Sequence, residues 1–268
     1  MRLLPAQILI AILFCLSNSF SATAQLPFYT DDADTTDKGK FHLEIYNEHD
    51  ILQRAAYPTK RQNTLVFTLN YGLTKKMELG VNVPVITLSN APVAASRSIN
   101  GQGDTQVGLK YKLIEEKEGS RAPALSVVFY VEAPTGSVEK ELGSGLYDYY
   151  LYGVIQKSLN KRTKARINGG LLFSGNATTG LIGVEANRGH VYTGNGSLIR
   201  DFTDRLALGI EVFGAVSSGG KLERGELISQ VGGTYLLTKK MTLSFGLLGG
   251  RFSSSPRAGA HLGLAYDF

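Results

Sequence analysis

The feature that most constrains this chain is a period-two alternation of apolar and polar residues, recurring from about residue 41 to the C-terminus. Within 77–83, Met77, Leu79, Val81 and Val83 share one face, and Glu78, Gly80 and Asn82 the other. Within 104–113, Thr105, Val107, Leu109, Tyr111 and Leu113 oppose Gln106, Gly108, Lys110 and Lys112. Ala165, Ile167, Leu171 and Phe173 oppose Arg166 and Asn168 in the same way. The chain closes with Ala258, Ala260, Leu262, Leu264, Tyr266 and Phe268 against His261 and Asp267. A helix would put residues i and i+2 on different faces and scramble each of these sets, so the segments are strands.

Breaks between alternating runs divide the chain into about twelve strands. Their expected spans are 41–52, 61–73, 77–88, 103–114, 122–134, 146–159, 164–174, 188–202, 205–217, 224–237, 241–251 and 257–268. Most are near the roughly 9–11 residues that a tilted membrane strand needs. No segment after Gln25 holds a continuous apolar run long enough for a transmembrane helix. Membrane residence would therefore require closed β-structure, because open strands leave backbone groups unpaired in hydrocarbon. The links 74–76, 160–163, 202–204 and 238–240 are short and polar. They alternate with longer Gly-, Ser-, Pro- and Asn-rich links near 53–60, 89–102, 135–145, 175–187 and 218–223. Short turns at one end and long loops at the other are the layout of an outer-membrane barrel. Tyr71, Tyr147, Tyr149, Tyr235, Tyr266 and Phe268 fall near strand ends on the apolar face, where an interfacial aromatic girdle lies. The expected fold is all-β: a transmembrane antiparallel up-and-down β-barrel.

The N-terminus reads as an export signal. Arg2 precedes an apolar run over 3–16, and Ala22-Thr23-Ala24 offers small residues for cleavage before Gln25. That run is too short to anchor as a spanning helix of about 20 residues. The sole cysteine, Cys15, lies within the signal, so the mature chain carries no disulfide. The expected division is a signal over 1–24, a periplasmic or lumen segment over 25–40, and the barrel over 41–268. A net charge of +5, without a basic run, gives no reason to expect nucleic acid as a partner.

Three stretches carry a resemblance. Leu26-Pro27-Phe28-Tyr29-Thr30-Asp31-Asp32-Ala33, running on to Lys38-Gly39-Lys40-Phe41, resembles the opening of the "MetA-pathway of phenol degradation" family of outer-membrane transporters. Tyr71-Gly72-Leu73-Thr74 before Met77–Pro84, and Gly145-Leu146-Tyr147-Asp148-Tyr149, are similar to the same family. The resemblance implies a channel for small solutes, with aromatic or other small organic compounds as the class. The terminal Phe268 resembles the signature that outer-membrane barrels present to their assembly machinery, which implies a Gram-negative-type outer membrane.

If the apolar face meets lipid, the other face lines the lumen. Candidate lumen residues are Glu44, Glu78, Asn82, Lys110, Lys112, Glu132, Asp148, Arg166, Asn168, Glu211 and His261, with His42, Tyr46 and Tyr130 beside them. Their mixed signs fit a polar channel that steers small solutes, or a plug of ion pairs closing a narrow barrel. Asp31, Asp32, Asp34 and Asp37 lack the spacing of a calcium loop, so no metal is expected. The four histidines include no His-x-Ser pair and the chain no Gly-x-Ser-x-Gly, so no catalytic residue is assigned. A non-conducting barrel acting in adhesion, envelope structure or binding is the alternative. Expected partners are outer-membrane lipid and lipopolysaccharide, the barrel assembly machinery and a small-molecule solute. No cofactor is expected.

Overall fold

The computed structural model describes residues 27–92, 97–175, 178–184 and 188–268; the expected signal, 1–24, lies outside the described residues. Twelve strands form the wall: β1 (Phe41–Ile51), β2 (Arg61–Gly72), β3 (Met77–Ser89), β4 (Thr105–Ile114), β5 (Ala124–Ala133), β6 (Asp148–Asn160), β7 (Thr163–Ser174), β8 (Gly189–Asp201), β9 (Leu206–Ser217), β10 (Glu226–Thr238), β11 (Met241–Gly250) and β12 (Ala258–Asp267). The edges fall within about two residues of those read from alternation and turn chemistry. Each strand pairs antiparallel with its sequence neighbours. The sheet closes where β1 meets β12, from His42↔Asp267 to Ile51↔Ala258. Closure leaves no sheet edge for lipid to desolvate.

The pleat sends alternate side chains to opposite sides of the wall. Ile167 is 58% exposed, whereas its neighbours Arg166 and Asn168 are buried. Phe67, Val107, Phe129, Leu151, Ile155, Ile210, Val231, Leu247 and Leu262 likewise lie exposed on the outer face. An apolar belt of this extent is unfavourable in water and suited to hydrocarbon. Tyr147, Tyr149, Tyr235, Tyr266 and Phe268 are exposed near strand ends, and Phe41 stacks on Phe268 and packs against Tyr71. Among the described residues no helix is long and apolar enough to cross a membrane, and the helices are three single 3-10 turns.

Two departures from a plain barrel shape its interior. The first is at β3. Its Met77–Asn82 half pairs with β4, and its Val85–Ser89 half pairs with a short strand, Ser98–Gln102, that prolongs the wall at the long-loop end. Asp104, at the break, accepts hydrogen bonds from the backbone N–H groups of Gly136 and Ser144, binding the 134–147 loop to the wall. Ile86, Leu88, Ala91 and Leu142 pack into an apolar cluster there. The second is the segment from Pro27 to Asp37, which turns into the barrel before β1 begins. Gly39, at φ +78°, makes that turn, in a backbone region that suits glycine.

Candidate functional site

The interior is built from three sets of groups: the inward row of each strand, the N-terminal segment, and the loop over 178–184. The segment is held along its whole length. Gln230 donates to the Pro27 carbonyl at 2.6 Å. The Tyr29 and Thr30 backbone N–H groups donate to Glu211 at 2.9 and 2.5 Å, and the Thr30 hydroxyl donates to the same carboxylate. Lys110, whose side chain is 1% exposed, donates to Asp31 Oδ1 at 2.7 Å, Asp32 Oδ1 at 3.4 Å and the Asp34 carbonyl at 3.1 Å. Arg166 lies 3.6 Å from Asp32, and Lys112 3.4 Å from Asp34. Ser126 bonds to the Ala33 carbonyl, and Glu78 accepts from both the Thr36 N–H and its hydroxyl. Ala33 itself is fully buried against Ala124, Val128 and Val154.

This segment carries three carboxylates to meet three cations on the wall. Burial pushes the Asp31 and Asp32 carboxyls up; at Asp32 the neighbouring Lys110 and Arg166 overcome it, so its pKa is lowered. At Asp31 burial and the adjacent Asp32 charge outweigh the pull of Lys110, and its pKa is raised. The Tyr29 hydroxyl is raised well above its ordinary value, by burial and then by Glu48, to which it donates at 2.6 Å. Asp31 and Asp32 are thus answered by cations of the wall.

Beyond the segment, towards the long loops, lies a cavity of about 440 Å³. Phe28, Tyr29 and Asp31 bound it on one side, and Thr179 with Ile182–Val184 on the other. The 178–184 loop is fixed there by Gln62, which donates to the Thr179 carbonyl and accepts from the Leu181 N–H, and by the Gly183 N–H bonded to the Ser254 carbonyl. Tyr46, Tyr130, Tyr150 and Phe213 supply aromatic walls. Tyr130 can lie flat along the wall because its cross-strand partner is Gly108; a Cβ there would collide with the ring.

The candidates read from sequence divide into three groups. Glu78, Lys110, Lys112, Arg166 and Glu211 hold the N-terminal segment. Glu44, Asn82, Glu132 and Asn168 line the cavity, with Tyr46 and Tyr130. Asp148 and His261 lie apart from it: Asp148 accepts from the Gly175 N–H, and His261 stacks on Tyr46 with Nδ1 3.7 Å from Glu48. His42 sits between Asp267 and Glu44. None of the four imidazole rings has a serine as a hydrogen-bond partner among the described residues. Glu48, Tyr150, Phe213 and Glu226 are cavity residues that sequence reading did not single out. Period two places all four on the inward row, yet nothing in the sequence ranks one inward position above another.

A family model described as "Putative MetA-pathway of phenol degradation" matches residues 71–268, well over half of the chain. The chain belongs to this family. No curated protein matches its sequence. The crystal structure of an outer membrane channel from Pseudomonas putida F1 is similar in fold, with a TM-score of 0.64 at 16% identity, covering 88% of this chain and 98% of that one. The NanC porin matches at TM-score 0.57 and 9% identity over 84% of this chain and 98% of that one. The KdgM porin, in complex with disordered oligogalacturonate, matches at 0.53 and 13% over 85% and 99%. The likeness shows the fold of this family member, a closed twelve-stranded antiparallel barrel that matches outer-membrane channel structures.

Proposed function

We propose that this family member is a diffusion channel for small solutes in the outer membrane of a Gram-negative-type bacterium, reached by export with a cleaved signal. The observation that carries the reading is a cavity of about 440 Å³ inside a closed lipid-facing barrel. Such a volume suits one small molecule, at the lower end of ordinary ligand pockets. Its mixture of aromatic rings and polar groups suits an organic solute, and the family description points to aromatic compounds. Residues 27–37 form a constriction below the cavity that a solute would pass only when the segment shifts. The solved structures that the chain resembles are channels and porins, which supports a non-enzymatic role.

One observation favours the alternative of a non-conducting, binding barrel: the segment is fastened by ion pairs with nearly buried cations, Lys110 above all. Liposome swelling separates the two readings. The refolded mature chain should admit arabinose and exclude the trisaccharide raffinose. A heat-modifiable, folded barrel that admits neither sugar would move the assignment to the binding reading.

A further inference from the structure

Three cations of the inward wall are gathered at one level. Lys110, Lys112 and Arg166 all face the N-terminal segment, which answers them with Asp31, Asp32 and Asp34. The cavity above holds the opposite sign. Six carboxylates line it, those of Asp31, Glu44, Glu48, Asp104, Glu132 and Glu226, and among the described residues no lysine, arginine or histidine does.

Several of these six are already answered within the protein. Asp31 pairs with Lys110, Glu44 with His42, and Glu48 lies 3.7 Å from His261; Asp104 accepts two backbone N–H groups. Glu132 and Glu226 are different. Glu132 accepts from Gln106 and from the Tyr150 hydroxyl, both neutral, and has no cation within ion-pair distance among the described residues. The Glu226 carboxylate has neither a hydrogen bond nor an ion pair among them. A second polar group points the same way. The Thr68 hydroxyl, on a residue 8% exposed, lines the cavity and has no hydrogen-bond partner among the described residues. Carboxylates drawn partly out of water without a counter-charge are costly, and a hydroxyl that faces the cavity without a protein partner is free to bond a ligand.

The aromatic groups complete the pattern. Tyr46, Tyr130, Tyr150 and Phe213 present rings to the same space. Ring faces carry negative potential, so they attract cations and repel anions. A carboxylate beside aromatic rings in a partly desolvated cavity discriminates strongly in favour of an ammonium group on an apolar body.

We propose that this cavity is a binding site for small organic cations, a primary ammonium on an aromatic or alkyl frame, with Glu132 and Glu226 taking the charge and the tyrosine rings taking the body. Thr68 offers a hydroxyl acceptor to the ammonium protons. The inference deepens the channel reading and names its solute class, but binding itself does not require conduction.

The test measures equilibrium binding of benzylammonium, benzyl alcohol and benzoate to the refolded mature barrel in detergent, by calorimetry. The three ligands have similar size and differ in charge. Benzylammonium should bind about tenfold or more tighter than benzyl alcohol, a ratio that a cation–aromatic contact with a carboxylate readily supplies. Benzoate should bind more weakly still. Glu132→Gln combined with Glu226→Gln should erase the preference for benzylammonium while leaving the barrel heat-modifiable. The ligand comparison on the unaltered chain needs no variant and stands even if that variant does not fold. Equal binding of all three ligands, or a preference for benzoate, overturns the proposal. Failure of the channel reading looks different: sugar influx is absent while the preference for benzylammonium persists.

Discussion

Replacing Lys110 with Met removes the group on which three acceptors of the N-terminal segment converge. Its Nζ lies 2.7 Å from Asp31, 3.4 Å from Asp32 and 3.1 Å from the Asp34 carbonyl, on a side chain 1% exposed. Methionine keeps most of the volume but leaves two carboxylates facing a low-dielectric interior. Breaking a buried ion pair by deleting one partner costs about 3–5 kcal/mol, mostly through the charge left behind. The undocked form of the segment should therefore gain roughly two to nearly four orders of magnitude in relative population. Arg166, Glu211 and Glu78 still hold it, so the segment loosens without leaving the barrel in every molecule. Thiol labelling reads this directly. Cys15, the only cysteine, belongs to the expected signal, so Ala33→Cys gives the mature chain one thiol at a fully buried position. In the Lys110→Met background that thiol should react with a maleimide at least about a hundredfold faster than with Lys110 present, following the same population shift. Adding Asp31→Asn should return part of the protection, since the two sites are directly coupled. A labelling rate unchanged by Lys110→Met, in a folded barrel, would refute the idea that this ion pair holds the segment.

Further outcomes follow from neighbouring contacts. Glu211→Gln weakens the charge-assisted bonds to the Tyr29 and Thr30 N–H groups by about 1.5–3 kcal/mol, so their amide exchange should quicken by roughly ten- to a hundredfold. Ile167→Arg puts a charge on an outward position 58% exposed, and should destabilise the barrel in phospholipid vesicles by about 2–4 kcal/mol if that site lies near the bilayer midplane; urea unfolding in vesicles checks it. Because Asp32 has a lowered pKa when docked, its contribution to docking is full above the ordinary carboxylate value near 3.9 and is lost as pH falls through the lowered one. Asp31, raised by burial, works in the opposite sense, so labelling of Ala33→Cys should stay slow from neutral pH to about pH 4 and rise only below it.

The wall was legible because a strand with lipid on one side and a lumen on the other writes its environment into every second residue. Lys110 between Leu109 and Tyr111, or Arg166 between Ala165 and Ile167, leaves no choice of face. The same rule identified inward residues such as Glu78 and Glu211 without saying what they touch. Their partners lie far away in sequence: Glu211 meets Tyr29 across 182 positions, and Lys110 meets Asp31 across 79. Residues 27–37 have no periodicity, so nothing local places them inside the barrel. The run Thr30-Asp31-Asp32-Ala33 was distinctive as a family opening, but its acidity becomes explicable only beside the three wall cations. Glu132 was legible as an inward residue and Glu226 was not singled out, and in neither case does the sequence say what the carboxylate meets. What separates them from the other acids of the cavity is that, among the described residues, neither carboxylate has an ion pair or a backbone N–H donor, a property of the closed cylinder and not of either strand.

A barrel that conducts small solutes past a segment lodged in its lumen should conduct more once that segment is removed. Single-channel recording in planar bilayers, on the mature chain and on the same chain lacking residues 27–37, tests it most directly. The account predicts small discrete openings for the intact chain and a markedly larger, steadier conductance once the segment is gone. Two silent proteins, both folded and heat-modifiable, would contradict it.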